Sequence, residues 1–253
     1  MNSLWQRLCE QARQLGERNP TIRGYIEQRV HSHSSFEEAL ASNLAHGLLH
    51  QGGPGLEQWF ASLIRAVPAI AEGAAADIEH TVRVNPACPD QLTAFLSFRG
   101  IQAVQAYRIA HALWSAGDEQ SAVLLQNWAA NAWSIDIHPA ARLGQSLFVD
   151  HGIGLVIGQT AVVEDHVGLW HGVTLGSTLN EQGERHPKIR RGALICAGAS
   201  VLGNIEVGAG AIVAANSVVL QAVAPGTVVA GSPARQVGLA PSALATLTTK
   251  NND

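Results

Sequence analysis

The sequence predicts an α+β protein, with an N-terminal all-helical domain followed by a left-handed parallel β-helix of hexapeptide repeats with one inserted loop. The main observation is that every sixth position between residues 137 and 219 is aliphatic, with one interruption. Neither a helix nor an alternating strand repeats at six, whereas β-helix coils are built from units of that length. The second observation is the helical spacing of apolar residues before residue 133. The two halves therefore predict two structural regions.

The composition favours a soluble globular protein. Of the 253 residues, 47% are apolar and 14% are charged, which is enough apolar surface for a large core and too little charge for disorder. The net charge of −4 argues against a nucleic-acid partner. Three cysteines without metal-type spacing favour a reduced, cytoplasmic setting. The charged N-terminus is unlike a signal peptide, and no stretch is long enough to cross a membrane, so no membrane partner is expected.

The helical domain is expected over residues 1–133, where it would serve oligomerisation and complete part of the site. A single long helix is expected from about 55 to 82, and two prolines place a loop at 85–89. Two overlapping capping-box patterns mark the start of an earlier helix, Ser34 with Glu37 and Ser35 with Glu38. Later helices are expected at about 90–99, 100–115 and 119–132.

The β-helix is expected over residues 134–238, and the polar stretch 239–253 is expected to be a mobile C-terminal tail. The aliphatic positions are Ile137, Leu143, Val149, Leu155, Ala161, Val167 and Val173, then Ile189, Ile195, Val201, Val207, Val213 and Val219. The phase slips once, because the sixteen residues from Val173 to Ile189 are not a multiple of six. The polar segment between them should leave the coil as an exposed loop. Because it carries Arg185, His186 and Lys188, we expect it to be functional.

An acidic residue and a histidine suggest chemistry on the first coils. A coil of three hexapeptides takes about eighteen residues, so Asp136 and His151 should lie on adjoining coils and close enough to touch. A carboxylate beside a histidine fixes its tautomer and leaves the other ring nitrogen as a general base. No nucleophilic serine or cysteine accompanies the pair, which favours direct transfer over covalent catalysis. A hydrogen-bonded structural histidine is the alternative.

Several separated motifs resemble serine O-acetyltransferases. They occur in the family's order and cover the β-helix almost from end to end. They are Ile135-Asp136-Ile137-His138-Pro139-Ala140-Ala141, the run from Asp150-His151-Gly152 to Ile157-Gly158, Val173-Thr174-Leu175-Gly176, Arg185-His186-Pro187-Lys188-Ile189 and Leu202-Gly203-Asn204-Ile205-Glu206-Val207. A weaker similarity in the helical half is clearest at Gln105-Ala106-Tyr107-Arg108-Ile109.

The resemblance implies transfer of an acetyl group from acetyl-CoA to the hydroxyl of L-serine, a step of cysteine biosynthesis, with no metal. It implies that His151 is the general base and that Asp136 orients it. The residues implied in the amino-acid pocket are Asp150, Arg185, His186 and Asn85. The residues implied along the acetyl-CoA groove are Gly176, Ser177, Thr178, Ala197 and Gly198. Two interpretations stay open for Lys188, Arg190 and Arg191, which either attract the phosphates of CoA or form a solvated turn.

The family resemblance also implies assembly, as a homotrimer with sites between subunits and with helical halves that can join two trimers into a hexamer. The chain departs from the family at several positions. Asn85 stands where an aspartate is usual, and Asp90 is an alternative source of that charge. His171 and Ser177 replace a glutamine and a glycine, and Gln159 replaces a glutamate. The usual C-terminal isoleucine is absent from Asn251-Asn252-Asp253, so no tight complex with O-acetylserine sulfhydrylase is expected.

Three other interpretations are left open by the sequence. The same chemistry could act on a related hydroxy-amino acid such as homoserine, and the Asn85 change is the reason to consider it. A hexapeptide β-helix can also be a non-catalytic scaffold. His166 and His171 are five apart, as two zinc ligands are in β-helix carbonic anhydrases, but no third histidine lies at the corresponding upstream place.

Overall fold

The computed structural model describes residues 2–178 and 182–241 of the chain. It confirms the predicted fold class, because a helical N-terminal region is followed by a left-handed parallel β-helix of about five turns. Its helices are α1 (Asn2–Arg18), α2 (Arg23–Ile26), α3 (Phe36–Gly47), α4 (Leu49–Gly52), α5 (Leu56–Ala66), α6 (Ala69–Val84), α7 (Gln91–Ser97), α8 (Arg99–Ser115) and α9 (Glu119–Trp133). A 3₁₀ turn (Pro20–Ile22) precedes α2, and a π-helical turn (Glu27–His31) follows it.

Local chemistry explains where the helices begin and end. The Ser35 hydroxyl accepts a hydrogen bond from the Glu38 backbone N–H, and the Glu38 carboxylate accepts one from the Ser34 backbone N–H. The second of the two capping pairs is therefore the one formed. The expected single helix over 55–82 was wrong, because α5 ends at Ala66 and α6 begins at Ala69. Pro68 separates them, since proline cannot donate a backbone hydrogen bond within a helix.

The described strands of the β-helix form three sheets, whose strands pair in parallel apart from the last one. The strands are β1 (Ile135–Ile137), β2 (Arg142–Leu143), β3 (Phe148–Asp150), β4 (Leu155–Ile157), β5 (Val162–Val163), β6 (Gly168–Trp170), β7 (Thr174–Gly176), β8 (Lys188–Ile189), β9 (Leu194–Ile195), β10 (Ser200–Leu202), β11 (Glu206–Val207), β12 (Ile212–Val213), β13 (Val218–Val219), β14 (Thr227–Gly231) and β15 (Ala234–Leu239). Sheet A has the order β1-β4-β7-β10-β13, sheet B has β11-β8-β5-β2, and sheet C has β15-β14-β12-β9-β6-β3. Among the strands of residues 2–178 and 182–241, only β15 runs antiparallel, and it folds back on β14.

The register of the strands corrects the predicted phase. Val156 pairs with Thr174, eighteen residues on, as three six-residue units require. Phe148 instead pairs with Gly168, twenty residues on, so the turn 151–154 is two residues longer than its successor. The sequence pattern did not reveal this second slip, because each six-residue unit has two inward-facing positions. Leu155 and Ile157 are both buried, so counting in sixes still reached an apolar residue after the slip. Val162 pairs with Lys188, twenty-six residues on, which places the predicted insertion correctly.

A buried polar network joins the helical domain to the first coil. The Asp77 carboxylate accepts hydrogen bonds from Gln105 Nε2 at 2.9 Å, from Arg108 Nη2 at 2.8 Å and from the Leu147 backbone N–H at 2.9 Å. Nearby, the Tyr107 hydroxyl donates to the Ala141 carbonyl at 2.5 Å. Burial raises the pKa of Tyr107 to about 12. These bonds fix α6 and α8 against the turns of the β-helix.

The end of the described chain differs slightly from the expectation. Strand β15 extends to Leu239, one residue beyond the expected end of the β-helix. Most of the expected mobile tail, including the terminal residues on which the sulfhydrylase prediction rests, lies outside the described residues. Within 2–178 and 182–241, no helix is long and apolar enough to cross a membrane.

Candidate active site

One edge of the β-helix, where sheet C turns into sheet A, carries His151. The turns of successive coils stack there through backbone hydrogen bonds, from Gly172 to Ile153 at 2.8 Å and from Gly198 to His171 at 2.9 Å. We call the set His151, His171, Ala197 and Gly198 the histidine edge. Gly172, on the same edge, has a φ of +69°, a left-handed conformation that favours glycine.

His151 projects from the enlarged turn into solvent. Its φ is +55°, an uncommon conformation for a residue with a side chain, and 71% of the side chain is exposed. Its Nε2 atom lies 3.8 Å from an Asp150 carboxylate oxygen. Its ring meets the His171 ring edge to face, with centroids 5.9 Å apart. An exposed imidazole beside a carboxylate can accept a proton from a bound substrate.

The predicted contact between Asp136 and His151 is not formed in this structure. Among the described residues, the carboxylate paired with His151 is Asp150, whereas Asp136 Oδ1 accepts a hydrogen bond from Gln126 Nε2 at 2.6 Å. The two residues are nevertheless close in the fold. A Cβ on Gly152 would lie 2.5 Å from Ile135 Cδ1, so the turn that carries His151 packs on the residue that precedes Asp136.

A cavity of about 260 Å³ lies behind Asp150, between sheet C and the end of α6. Its lining brings together two residues of the predicted amino-acid pocket, Asn85 and Asp150. Asn85 directly follows α6 as its C-cap, and its side chain accepts a hydrogen bond from the Ala87 backbone N–H at 3.0 Å. Asp90 is not among the residues that line this cavity, and its carboxylate caps α7 by accepting from the Thr93 N–H. Asp150 is therefore the acidic residue that this cavity presents.

The cavity continues between two histidines. His80, on α6, and His166, on the turn after β5, have ring centroids 5.2 Å apart, and both line the cavity. Burial, with Arg83 and His166 contributing, lowers the pKa of His80 to about 4. Burial also lowers the pKa of His166. Two neutral imidazoles thus make this wall of the cavity weakly polar at neutral pH.

The opposite edge of sheet A, where it turns into sheet B, carries Arg185 and His186. We call the set Gln159, Thr160, Arg185 and His186 the arginine edge. The Thr160 hydroxyl accepts from the backbone N–H groups of Arg185 at 3.0 Å and His186 at 3.1 Å. Arg185 Nη2 donates to Gln159 Oε1 at 2.6 Å. The sequence reaches this arrangement because the insertion ends directly against the turn of the preceding coil.

The imidazoles at the arginine edge are held in the neutral form. Burial lowers the pKa of His186, and the neighbouring Arg185, Lys188 and His138 lower it further. Burial also lowers the pKa of His138, whose Nδ1 accepts a hydrogen bond from the Ala140 backbone N–H. The guanidinium of Arg185 is therefore the fixed positive charge at this edge, and the histidines are neutral hydrogen-bonding groups.

The residues predicted along the acetyl-CoA groove fall on both edges. Ala197 and Gly198 lie on the histidine edge, one coil beyond His171. Gly176 ends β7 on the other side of sheet A, and Ser177 and Thr178 begin the insertion there. The three basic residues considered for the phosphates all have carboxylate partners: Lys188 with Glu184, Arg190 with Glu164 and Glu206, and Arg191 with Asp165. These pairs favour the interpretation as a solvated, ion-paired turn.

His166 and His171, considered above as zinc ligands, lie in different surroundings. His166 packs on His80 and His171 packs on His151. Within 2–178 and 182–241, no group of three histidine, cysteine or acidic side chains could hold a metal ion.

Sequence reasoning missed Thr160 and His138, and it left Gln159 without a role. The signal that could have found Thr160 is its place twenty-six residues before His186, which is one coil plus the insertion. That spacing becomes readable only when the length of the insertion is known. His138 lies in a quoted motif, but nothing in the motif indicates that it faces the arginine edge.

The β-helix that carries the histidine edge and the arginine edge, and the helical region before it, both match known protein families. Residues 186–221 match the family described as bacterial transferase hexapeptide (six repeats), which places the β-helix among the hexapeptide-repeat transferases. Residues 4–106 match the family described as serine acetyltransferase, N-terminal. A putative serine acetyltransferase of Schizosaccharomyces pombe is 47% identical over 99% of this chain and 94% of its own length. The chain belongs to the serine acetyltransferase family.

Two solved structures have the same fold along nearly the whole chain. A serine acetyltransferase from Brucella abortus in complex with coenzyme A is 39% identical, with a TM-score of 0.91, covering 95% of this chain and 97% of that one. A serine acetyltransferase in complex with cysteine is 38% identical, with a TM-score of 0.93, covering 98% of both chains.

Proposed function

We propose that the chain transfers the acetyl group of acetyl-CoA to the hydroxyl of L-serine, giving O-acetyl-L-serine and CoA. The observation that carries this proposal is the position of His151, exposed on an enlarged turn with Asp150 beside it and the Asn85 cavity behind it. Family membership supports the substrates, since one related structure holds coenzyme A and another holds cysteine, an amino acid of serine's size.

His151 acts as the general base in this proposal. Its free ring nitrogen takes the proton from the serine hydroxyl as that oxygen attacks the thioester carbonyl. The resulting tetrahedral intermediate collapses, the carbon–sulfur bond breaks, and the imidazolium returns its proton to the CoA thiolate. Protons and bonds balance without a covalent enzyme intermediate. A general base of this kind typically supplies about 10²–10⁴-fold in rate.

The two carboxylates near His151 have different tasks. Asp150 lines the cavity and is suited to the ammonium group of the acceptor. When the acceptor engages Asp150, the imidazole loses its present partner and turns towards Asp136, which follows Ile135, the residue on which the same turn packs. Asp136→Asn should then lower mainly kcat, and Asp150→Asn should raise mainly the KM for serine. Steady-state kinetics of both variants test these assignments. If Asp136→Asn mainly raised the KM and Asp150→Asn mainly lowered kcat, the two roles would be reversed.

Arg185 and His186 bind the carboxylate of the acceptor, since a guanidinium fork matches a carboxylate in geometry and charge. In one chain they lie across sheet A from His151, on the other edge of the β-helix. The site is therefore completed by a neighbouring copy, with His151 from one subunit and Arg185 from the next, and acetyl-CoA in the groove between them. A homotrimer is the assembly proposed, with the helical halves available to join two trimers, and light scattering measures its mass.

Mixing two inactive variants tests the shared site. In trimers reassembled from equal amounts of His151→Ala and Arg185→Ala, about a quarter of the sites are intact if each site takes one residue from each neighbour. We expect activity to return to about that fraction of the wild-type value. Activity that stays at the background of the separate variants would place both residues in one subunit's site.

The acceptor is tested with acetyl-CoA and a panel containing serine and homoserine, with CoA release as the readout. Serine should be the preferred acceptor, and His151→Ala should lose about 10²–10⁴-fold in turnover. Preference for homoserine would show that the uncharged Asn85 and the cavity behind Asp150 admit a longer acceptor. No thioester cleavage with either acceptor would favour a non-catalytic scaffold.

A further inference from the structure

We propose that Thr160 is a positioning residue that fixes Arg185 and His186 as a clamp for the acceptor's carboxylate, and that Gln159 keeps the charge of Arg185 available to it. This inference rests on the proposed function, because it assumes that the arginine edge receives the acceptor. Neither Gln159 nor Thr160 has a catalytic task in the mechanism above. The importance of Thr160 follows from how completely its hydroxyl is used, and that of Gln159 from its bond to Arg185.

The Thr160 hydroxyl makes every hydrogen bond that it can make. A hydroxyl has one donor and two acceptor positions. The two acceptor positions are taken by the backbone N–H groups of Arg185 and His186, and the oxygen lies 2.9 Å from His186 Nδ1. The donor position therefore points at that nitrogen. One side chain thus holds two consecutive residues of the returning insertion through their backbone and one of them through its ring.

The same contacts settle the tautomer of His186. The Thr160 backbone N–H donates to His186 Nδ1 at 3.2 Å, and a backbone N–H can only donate. Nδ1 must therefore accept, and the proton of the neutral ring must be on Nε2. The result is a fixed N–H donor on the residue next to Arg185. A donor and a cation on consecutive residues suit the two oxygens of a carboxylate.

Packing prevents the ring from leaving this orientation. His186 is 7% exposed, and its ring lies on the backbone of Gly158. A Cβ at position 158 would lie 2.0 Å from His186 Cδ2 and 2.1 Å from Nε2. The absence of a side chain at Gly158 is what allows the ring to lie over this turn, with Nδ1 towards Thr160.

Gln159 orients the guanidinium without neutralising it. Its Oε1 accepts from Arg185 Nη2 at 2.6 Å, while Nη1 donates to the Gly183 carbonyl at 3.2 Å. Both acceptors are neutral, so the positive charge has no carboxylate partner among the described residues. The basic residues further along the same turn are paired with glutamate or aspartate. Arg185 is thus preset in direction and still available for an incoming anion.

Thr160→Val tests the hydroxyl, because valine has the same shape and makes none of its hydrogen bonds. We expect the KM for serine to rise about tenfold or more, while kcat and the KM for acetyl-CoA change by less than about threefold. Thr160→Ser keeps the hydroxyl and should restore the KM for serine to within about threefold of wild type. Melting temperatures of both variants show whether the fold is kept. A serine variant as impaired as the valine variant would overturn the inference.

Gln159→Glu tests the charge with almost no change in shape. The substitution restores the residue usual in the family, and its carboxylate pairs with Arg185, so the KM for serine should rise about three- to tenfold in this chain. Gln236→Glu adds the same charge on exposed β15 and should leave the KM unchanged. Arg185→Ala separates the inference from the proposed function. If Arg185→Ala raises the KM for serine while Thr160→Val and Gln159→Glu do not, the inference is wrong and the proposed function stands. If Arg185→Ala leaves that KM unchanged, the acceptor site itself is wrong.

Discussion

The buried Asp77 network gives the sharpest stability prediction. Asp77 is 1% exposed, and its carboxylate accepts three hydrogen bonds, from Gln105, Arg108 and the Leu147 backbone. Asp77→Asn keeps the volume of the side chain and removes its charge. One carboxylate oxygen becomes an amide NH₂, which then faces a donor instead of accepting from it. Arg108, whose side chain is 10% exposed, is left without an anion beside its guanidinium.

The expected cost follows from these losses. Removing one partner of a buried ion pair costs about 3–5 kcal/mol, because the remaining charge is buried and uncompensated. That is a large part of the total stability of a domain, which is about 5–15 kcal/mol. Replacing Arg108 as well removes the uncompensated charge, so Asp77→Asn with Arg108→Met should cost less than the sum of the two single substitutions.

Urea unfolding at pH 7 and at one fixed protein concentration measures the loss, since assembly makes stability depend on concentration. The matched control is Asp118→Asn, the same substitution at the exposed N-cap of α9, where asparagine caps as well as aspartate. The control should stay within about 0.5 kcal/mol of wild type. An Asp77→Asn protein within about 1 kcal/mol of wild type would refute the view that this network holds the two domains together.

Three further predictions concern pH, the domain junction and the arginine edge. The pKa of His80 is lowered to about 4 from an ordinary 6.5, so its contribution to stability is present above pH 6.5 and is lost as the pH falls towards 4. Between pH 7 and pH 4, the free energy of unfolding of His80→Phe should therefore fall by about 3 kcal/mol less than that of wild type. Urea unfolding at both pH values measures this, and equal losses in the two proteins would contradict the assignment. Tyr107→Phe leaves the Leu143 N–H without its partner at 3.2 Å and should cost about 1–3 kcal/mol in the same assay, whereas no change would show that water replaces the hydroxyl. Gly158→Ala should displace the His186 ring and raise the KM for serine about tenfold, while Gly24→Ala, at a glycine with nothing within 4 Å, should not, and equal kinetics would show that the ring position is unimportant.

The fold could be predicted from the sequence because a β-helix is a stack of similar coils along a single axis. Each coil packs on its neighbours, so a repeat of six along the chain translates directly into stacked coils. Two local features could not be predicted from this repeat. Pro68 divides α5 from α6, but the apolar pattern continues across it and therefore predicted a single helix. The longer turn at 151–154 was hidden because apolar residues lie at both inward positions of a unit.

The sequence predicted candidate site residues but not the contacts that they make. Asn85 and Asp150 came from the family resemblance, and the structure places them on one cavity. The contacts of Asp136 and His186 depend on side chains from other elements, Gln126 on α9 and Thr160 on the preceding coil. Spacing along the chain cannot give these contacts until the register of the coils is known. This is why the expected partner of His151 was Asp136, whereas in the single chain it is Asp150.

The longer turn at 151–154 shows how such a solenoid can acquire new parts. Both interruptions in this chain lie between strands, at the turn that carries His151 and at the loop that carries Arg185. Residues added at such a turn change how far it extends from the β-helix, while the strands on either side keep their register with the neighbouring coils. Insertions at the turns are therefore a route by which new reach can be added to an acceptor site without redesigning the core beneath it.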